Sequence, residues 1–585
     1  MISFMPKQNV HRCLIVGHIL FTLITSLTAQ EFDSQEEAEA YEAYLQDLEG
    51  VQLHLNKASE SKLLDLPGLT PDIAWRITAF RPYHTIQDLQ RVPGITPDLL
   101  DQIAPYLTLK EHPHWHGQFT TRLTRPTNHP NQVDHLRLTQ RAEVQIGNTL
   151  TGFMLSDRDP QEPNWADYLT AHLQFNHSLG QLIMGDVRPE IGQGLLHSRQ
   201  TRSAASLSSI RPRSQNRIAN RNGTEFGAIR GLHLTTQLRA FTLQALYGQI
   251  LWDADITPEG DVQIRRTEQH ISETSLSRKN ILSERLATLH MSVGTPQNHI
   301  GTTFQQTAFS PANPQEIKKR HISINGQAQW HQTTLFGEFA YAHKTQAFVT
   351  GLNWQKDDIR LHLLMRRFSP HFSALHGAPI AAYGTPPQNE QGLFFGFTYR
   401  PTPRTRFELS LDRHKHLLPE RHPLPDQGHR FRLIMRHRVG KKATLQITHS
   451  TRKTRYDPSR AENRVTFNWT HRAMRTTSWI SRTQVTQSGN GLASGLRLQI
   501  GQAHRIALWT TVFNIPNFDA RIYDFEPDVW GGGTLQTRTG TGKASGILLA
   551  WSTTPFRIAT RYSFRKTDAS PTPTSSWAIQ FELHH

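Results

Sequence analysis

Cysteine occurs once in the 585 residues, at Cys13, so neither a disulfide framework nor a thiolate metal site can organise the rest of the chain. Long apolar runs are equally scarce. The longest, CLIVGHILFTLITSL, covers residues 13–27. A mean hydropathy of -0.52 excludes a bundle of membrane-spanning helices. There is no G-x-S-x-G nucleophile elbow, and no phosphate-loop or dinucleotide glycine pattern in a strand-to-helix context. Acidic residues are sparse after position 110. Residues 111–585 hold 56 Lys and Arg against 34 Asp and Glu, a net +22, whereas the whole chain carries +16. An excess of that sign points to an anionic partner or surface.

What is present begins with an export signal. Lys7 and Arg12 precede the apolar run, which is short for a membrane span, and a cut after Ala29 removes residues 1–29 together with Cys13. The alternative is a membrane anchor. Residues 31–50 carry eight acids and no base. Within them SQEEAEAYEAYLQDL reads as a helix capped by Ser34, with Tyr41, Tyr44, Leu45 and Leu48 for packing.

Residues 51–110 contain a repeat. At a shift of 26 positions, Ser59 matches Thr85, Leu63 matches Leu89, Leu66 matches Val92 and Ile77 matches Ile103. Pro67-Gly68-Leu69-Thr70-Pro71-Asp72 likewise matches Pro93-Gly94-Ile95-Thr96-Pro97-Asp98. Each unit predicts a capped helix, a tight turn at Pro-Gly and a second helix opened by Thr-Pro-Asp. Thr85 has an acidic capping partner in Asp88; Ser59, followed by Lys62, has none.

On these motifs residues 53–109 resemble the paired helix-hairpin-helix domain of the ComEA family, periplasmic DNA receptors of bacterial transformation. There the turn reads apolar-Pro-Gly-Ile-Gly-Pro, and its backbone N–H groups hold a DNA phosphate. The resemblance implies phosphate contacts at Gly68, Leu69 and Thr70 and at Gly94, Ile95 and Thr96. It adds Arg76, Arg81 and Arg91 as cationic partners. Thr70 and Thr96 depart from the family, standing where its second glycine does. The module balances six bases against six acids, which gives little of the electrostatic attraction that non-specific DNA binding uses. A helical domain that packs on protein is the alternative.

Beyond a linker at 111–116 the helical period gives way to period 2. Phe407, Leu409 and Leu411 alternate with Arg406, Glu408, Ser410 and Asp412; Val465, Phe467 and Trp469 alternate with Arg464, Thr466, Asn468 and Thr470. Trp577 to Leu583 repeats the pattern at the C-terminus. With the export signal, this predicts a mainly β protein, an outer-membrane barrel over 117–585 of about 22–24 antiparallel strands. A surface β-solenoid is the alternative. An even number returns both termini to one side, the periplasm, and so places the helical module beneath the barrel. Membrane lipid, lipopolysaccharide at the outer rim, DNA and a periplasmic protein are the partners this architecture offers.

A lumen of that width calls for a plug. Residues 188–224 suit the role, with Arg188, Arg199, Arg202, Arg211, Arg213, Arg217 and Arg221 against one acid, Glu190. They predict a basic constriction or a solvated loop. Gly185-Asp186-Val187-Arg188, Gly192-Gln193-Gly194-Leu195 and the run Arg521 to Asp528 resemble segments of large, poorly characterised helix-hairpin-helix barrel proteins of Bacteroidota-like Gram-negatives. His112, His114 and His116 alternate in the linker, and Asp524, Glu526 and Asp528 could form an acid pair. Neither singles out a nucleophile or a metal. The reading is therefore a non-enzymatic barrel without cofactor or metal that binds or passes DNA. Its rivals are an assembly barrel docking a periplasmic protein and an anion-selective channel.

Overall fold

A computed structural model describes residue 48 and, with short interruptions, residues 53–584. The export signal, nearly all of the acidic helix and linker residues 111–114 lie outside the described residues, as do Gly68, Thr70, Thr96, Arg202 and Arg217.

The helical module has its own core, and the repeat is that core. Leu63 and Leu89, Leu66 and Val92, Leu69 and Ile95, and Ile77 and Ile103 are all buried in one cluster. Ser59 caps the helix Glu60–Leu63 through the Lys62 N–H. Thr85 and Asp88 form a capping box on Ile86–Arg91. That second element is a 3-10 helix rather than the expected α-helix. Its C-cap, Val92, is extended before Pro93, which ends the helix there. A two-residue parallel pairing of Leu53–His54 with Leu107–Thr108 draws the ends of the module together.

The rest is a closed barrel of 24 antiparallel strands, from Trp115–Arg125 to Ser570–His584. These two strands pair with each other, Trp577 opposite Arg125 and His584 opposite Gln118, and leave no free edge. Alternation sorts the two faces. Along Thr333–Ala342, Leu335, Phe339 and Tyr341 point outward and are exposed, whereas Phe336, Glu338 and Ala340 are buried in the lumen. Exposed Trp115, Phe241, Trp330, Tyr399, Trp551 and Phe556 lie close to the turns at the end where the chain enters. An apolar outer face with aromatics at its border is the construction of a barrel that spans a membrane of the outer-membrane type.

The lumen is filled from the opposite end. The segment 188–228 leaves strand Gly180–Val187 and folds inward, and 369–389 follows it from Ile359–Phe368. The two are joined by Ser198 N–H to His376 O at 2.9 Å and Ala378 N–H to Gly194 O at 3.0 Å. Leu195, Leu196, Ile210, Phe372 and Ile380 pack with wall residues such as Phe336 and Phe394. Gly192 and Gly194 both have positive φ, and a Cβ on Gly192 would lie 2.7 Å from the Glu338 carboxyl. That carboxyl accepts from the N–H groups of Gln193 at 2.7 Å and Leu195 at 3.0 Å. The Gly-Gln-Gly motif is therefore the clamp that seats the plug on the wall. A third segment, 516–539, contributes an inward hairpin, Ile522–Glu526 with Thr534–Arg538.

Candidate nucleic-acid interface beneath a plugged lumen

Among the described residues, the module meets the barrel at Glu60 and at Leu69. Gln297, in the turn between Leu282–Gly294 and His299–Ser310, donates to Glu60 Oε1 at 2.8 Å. Arg211, in the plug, donates through Nη1 to the Leu69 carbonyl at 3.4 Å. The first hairpin thus faces the plug. The second does not, for Pro93 and Gly94 are exposed.

Of the predicted phosphate contacts, Leu69 and Ile95 have buried side chains, so only their backbones are available to a ligand. Gly94 has φ +98, and an added Cβ would press Ile73 at 3.2 Å. The first glycine of the second turn is therefore a left-handed residue that the turn depends on. Arg76 lies beside this turn and donates to Pro93 O at 3.0 Å. Arg91 lies at the end of the 3-10 helix, its side chain 60% exposed. Arg81 has a different place: Nε donates to Leu55 O at 2.9 Å and Nη2 to Ala58 O at 2.5 Å. It braces the start of the module, and burial lowers its pKa. Trp75 and Phe80, on and just after helix Pro71–Ala79, are exposed; the repeat pattern gave no warning of them.

Four arginines of the basic stretch already have acceptors within the plug and the wall. Arg188 donates to Phe226 O and Arg199 to Ala219 O. Arg213 pairs with Glu190 at 2.9 Å and also donates to Ala378 O. Arg221 grips Glu143 through both terminal nitrogens, at 2.9 and 2.7 Å, over the Phe153 ring. These four arginines hold the plug together and to the wall, because buried guanidinium groups need acceptors. Asp524 and Glu526 are likewise paired, Asp524 with Arg482, Arg497 and Arg538, and Glu526 with Arg538 and Arg561. They are structural carboxylates of the third inward segment.

Of the linker histidines, His112 and His114 lie outside the described residues, and His116 belongs to the first strand. Ligand-type side chains gather elsewhere, at Glu162, Asp167, Glu225 and His270. Sequence reasoning missed this group because its members come from three separate segments.

Residues 49–108 match the helix-hairpin-helix motif family. Over 64 residues the chain is 41% identical to the endonuclease/exonuclease/phosphatase family domain-containing protein 1 of Xenopus laevis, a match covering 10% of this chain and 12% of that protein. The chain resembles OpdQ of Pseudomonas aeruginosa, at 11% identity over 64% of this chain and 96% of that one, with a TM-score of 0.32. It also resembles the ferric enterobactin receptor PfeA of that organism, at 8% identity over 82% and 81% and a TM-score of 0.41. A third likeness is to the P pilus usher PapC translocation pore, at 7% identity over 80% and 99% and a TM-score of 0.36. By its own closed wall and apolar outer face the chain is a membrane-spanning β-barrel protein. More particularly, it joins a plugged 24-strand barrel to a helix-hairpin-helix module.

Proposed function

We propose that the protein holds DNA by its phosphate backbone at the exposed second hairpin, on the periplasmic side of the outer membrane, and that the barrel is the gated passage with which this site works. The observation that carries the reading is the turn at Gly94: an exposed positive-φ glycine in a matched helix-hairpin-helix unit, with Arg76 and Arg91 near it. This is the arrangement the ComEA-like motifs imply, and it needs no reading of base sequence. Because the module has a core of its own, which includes Leu48, residues 31–110 can be tested alone. Titration with a short duplex is expected to show binding that weakens as salt rises and falls further in R91E, which reverses an exposed charge just before the second turn. Unchanged binding in that variant, or none at low salt, overturns the reading.

A second reading is favoured by exposed Trp75 and Phe80: the module docks a periplasmic protein. A partner that co-purifies with the full-length protein and is lost from W75A/F80A would replace the first reading with this one.

A further inference from the structure

Three loops meet at the barrel end opposite the termini. Glu162 and Asp167 come from the connection before strand Tyr168–His177, Glu225 from the exit of the plug, and His270 from the connection after Val262–Arg265. One ligand atom from each of the four lies within 4.8 Å of all the others. His270 Nδ1 is 3.2 Å from Asp167, 3.5 Å from Glu225 and 3.8 Å from Glu162. One ring nitrogen cannot satisfy three carboxylates by hydrogen bonding. Its Nε2 is 2.7 Å from Asp253, which orients the ring. Lys279 Nζ reaches Asp167 Oδ2 at 2.5 Å. The Asp167 side chain is fully buried, and its Oδ1 meets no donor among the described residues. A buried carboxylate oxygen without a donor is costly unless a cation takes it.

We infer that Glu162, Asp167, Glu225 and His270 form a divalent-cation site that fastens the exit of the plug to two rim loops. The donor set, one imidazole nitrogen with carboxylate oxygens, suits a transition-series ion such as Zn2+ or Mn2+. Mg2+ and Ca2+ prefer oxygen alone. The ion takes the place between the carboxylates that Lys279, engaged with one oxygen of Asp167, leaves uncompensated. The fastening holds one end of the plug, at the barrel end opposite the helical module, so it stands whether or not that module binds DNA.

The test uses full-length protein in detergent, stripped with chelator and titrated calorimetrically with Zn2+, Mn2+, Ca2+ and Mg2+ in turn. One equivalent of Zn2+ or Mn2+ is expected to bind more tightly than either alkaline-earth ion. The isosteric E225Q and the ligand-deleting H270A are each expected to weaken it by about tenfold or more, the loss that even outer-sphere partners cause. Bound metal should also slow proteolysis of 257–281 in the wild type and leave it unchanged in H270A. Equal Zn2+ affinity in wild type and both variants overturns the proposal, as does an absence of binding. Heat-modifiable migration on gels, the same in all three proteins, verifies that the variants are folded.

Discussion

Arg366 shows what a single residue does in this lumen. Its side chain is fully buried, Nε lies 2.5 Å from Glu390 and Nη1 2.8 Å from Asp412. Glu390 also accepts from the N–H groups of Ala382 and Tyr383, so the group joins three wall strands to one another and, through Glu390, to the second inward segment. Removing one partner of a buried ion group leaves uncompensated charge, at a cost of about 3–5 kcal/mol. R366L is therefore expected to unfold at lower urea in lipid vesicles, and R366L/E390Q/D412N to recover much of the loss. Equal midpoints for R366L and wild type would show that the group is not the tie described. Such residues were only half legible. The excess of arginine could be counted, and so could the poverty of acids in 188–224. The partners could not, because Glu143 lies 78 positions from Arg221 and nothing local marks it. The cluster around His270 was illegible for the same reason.

At the scale of elements, period-2 alternation foretold the strands because each wall residue has only two environments, lipid or lumen. The repeat at 26 positions foretold the module because its apolar matches are its core. Helix type was less readable: Thr85 and Asp88 cap as expected, yet the helix they open is 3-10, whereas the matching Glu60–Leu63 is α at the same spacing from its proline. The cap itself yields a pH dependence. Hydrogen bonds from the Thr85 and His84 N–H groups lower the Asp88 pKa from 3.8 to about 2. A carboxyl depressed in the folded state stabilises above its unfolded pKa, and that contribution disappears as pH falls through the folded value. The isolated module is expected to lose thermal stability between about pH 4 and pH 2. D88N, a cap with no charge to lose, should show a smaller loss across that window by circular dichroism. Parallel profiles for the two proteins would remove Asp88 as the cause.

For the whole molecule, the barrel, its even strand number and the need for a plug were all readable, since length, alternation and lumen width constrain one another. The depth to which 188–228 and 369–389 pack was not, because it depends on contacts such as Ser198 to His376 between distant segments. A lumen filled this way should be electrically silent. Purified protein in planar bilayers is expected to show no steady conductance, whereas replacing 192–217 with a short Gly/Ser linker should open large channels. Steady wild-type conductance, unchanged by the replacement, would mean that the plug does not seal.

The seam between Trp115–Arg125 and Ser570–His584 bears on how the protein is made. Arg122 meets Gln580 across 458 positions, and a contact of such separation forms slowly because the intervening chain must be ordered first. The helical module, built from neighbours in sequence, can fold while the strands are still in transit. Biogenesis therefore has a built-in order, with the helical device finished before the cylinder has closed its last gap.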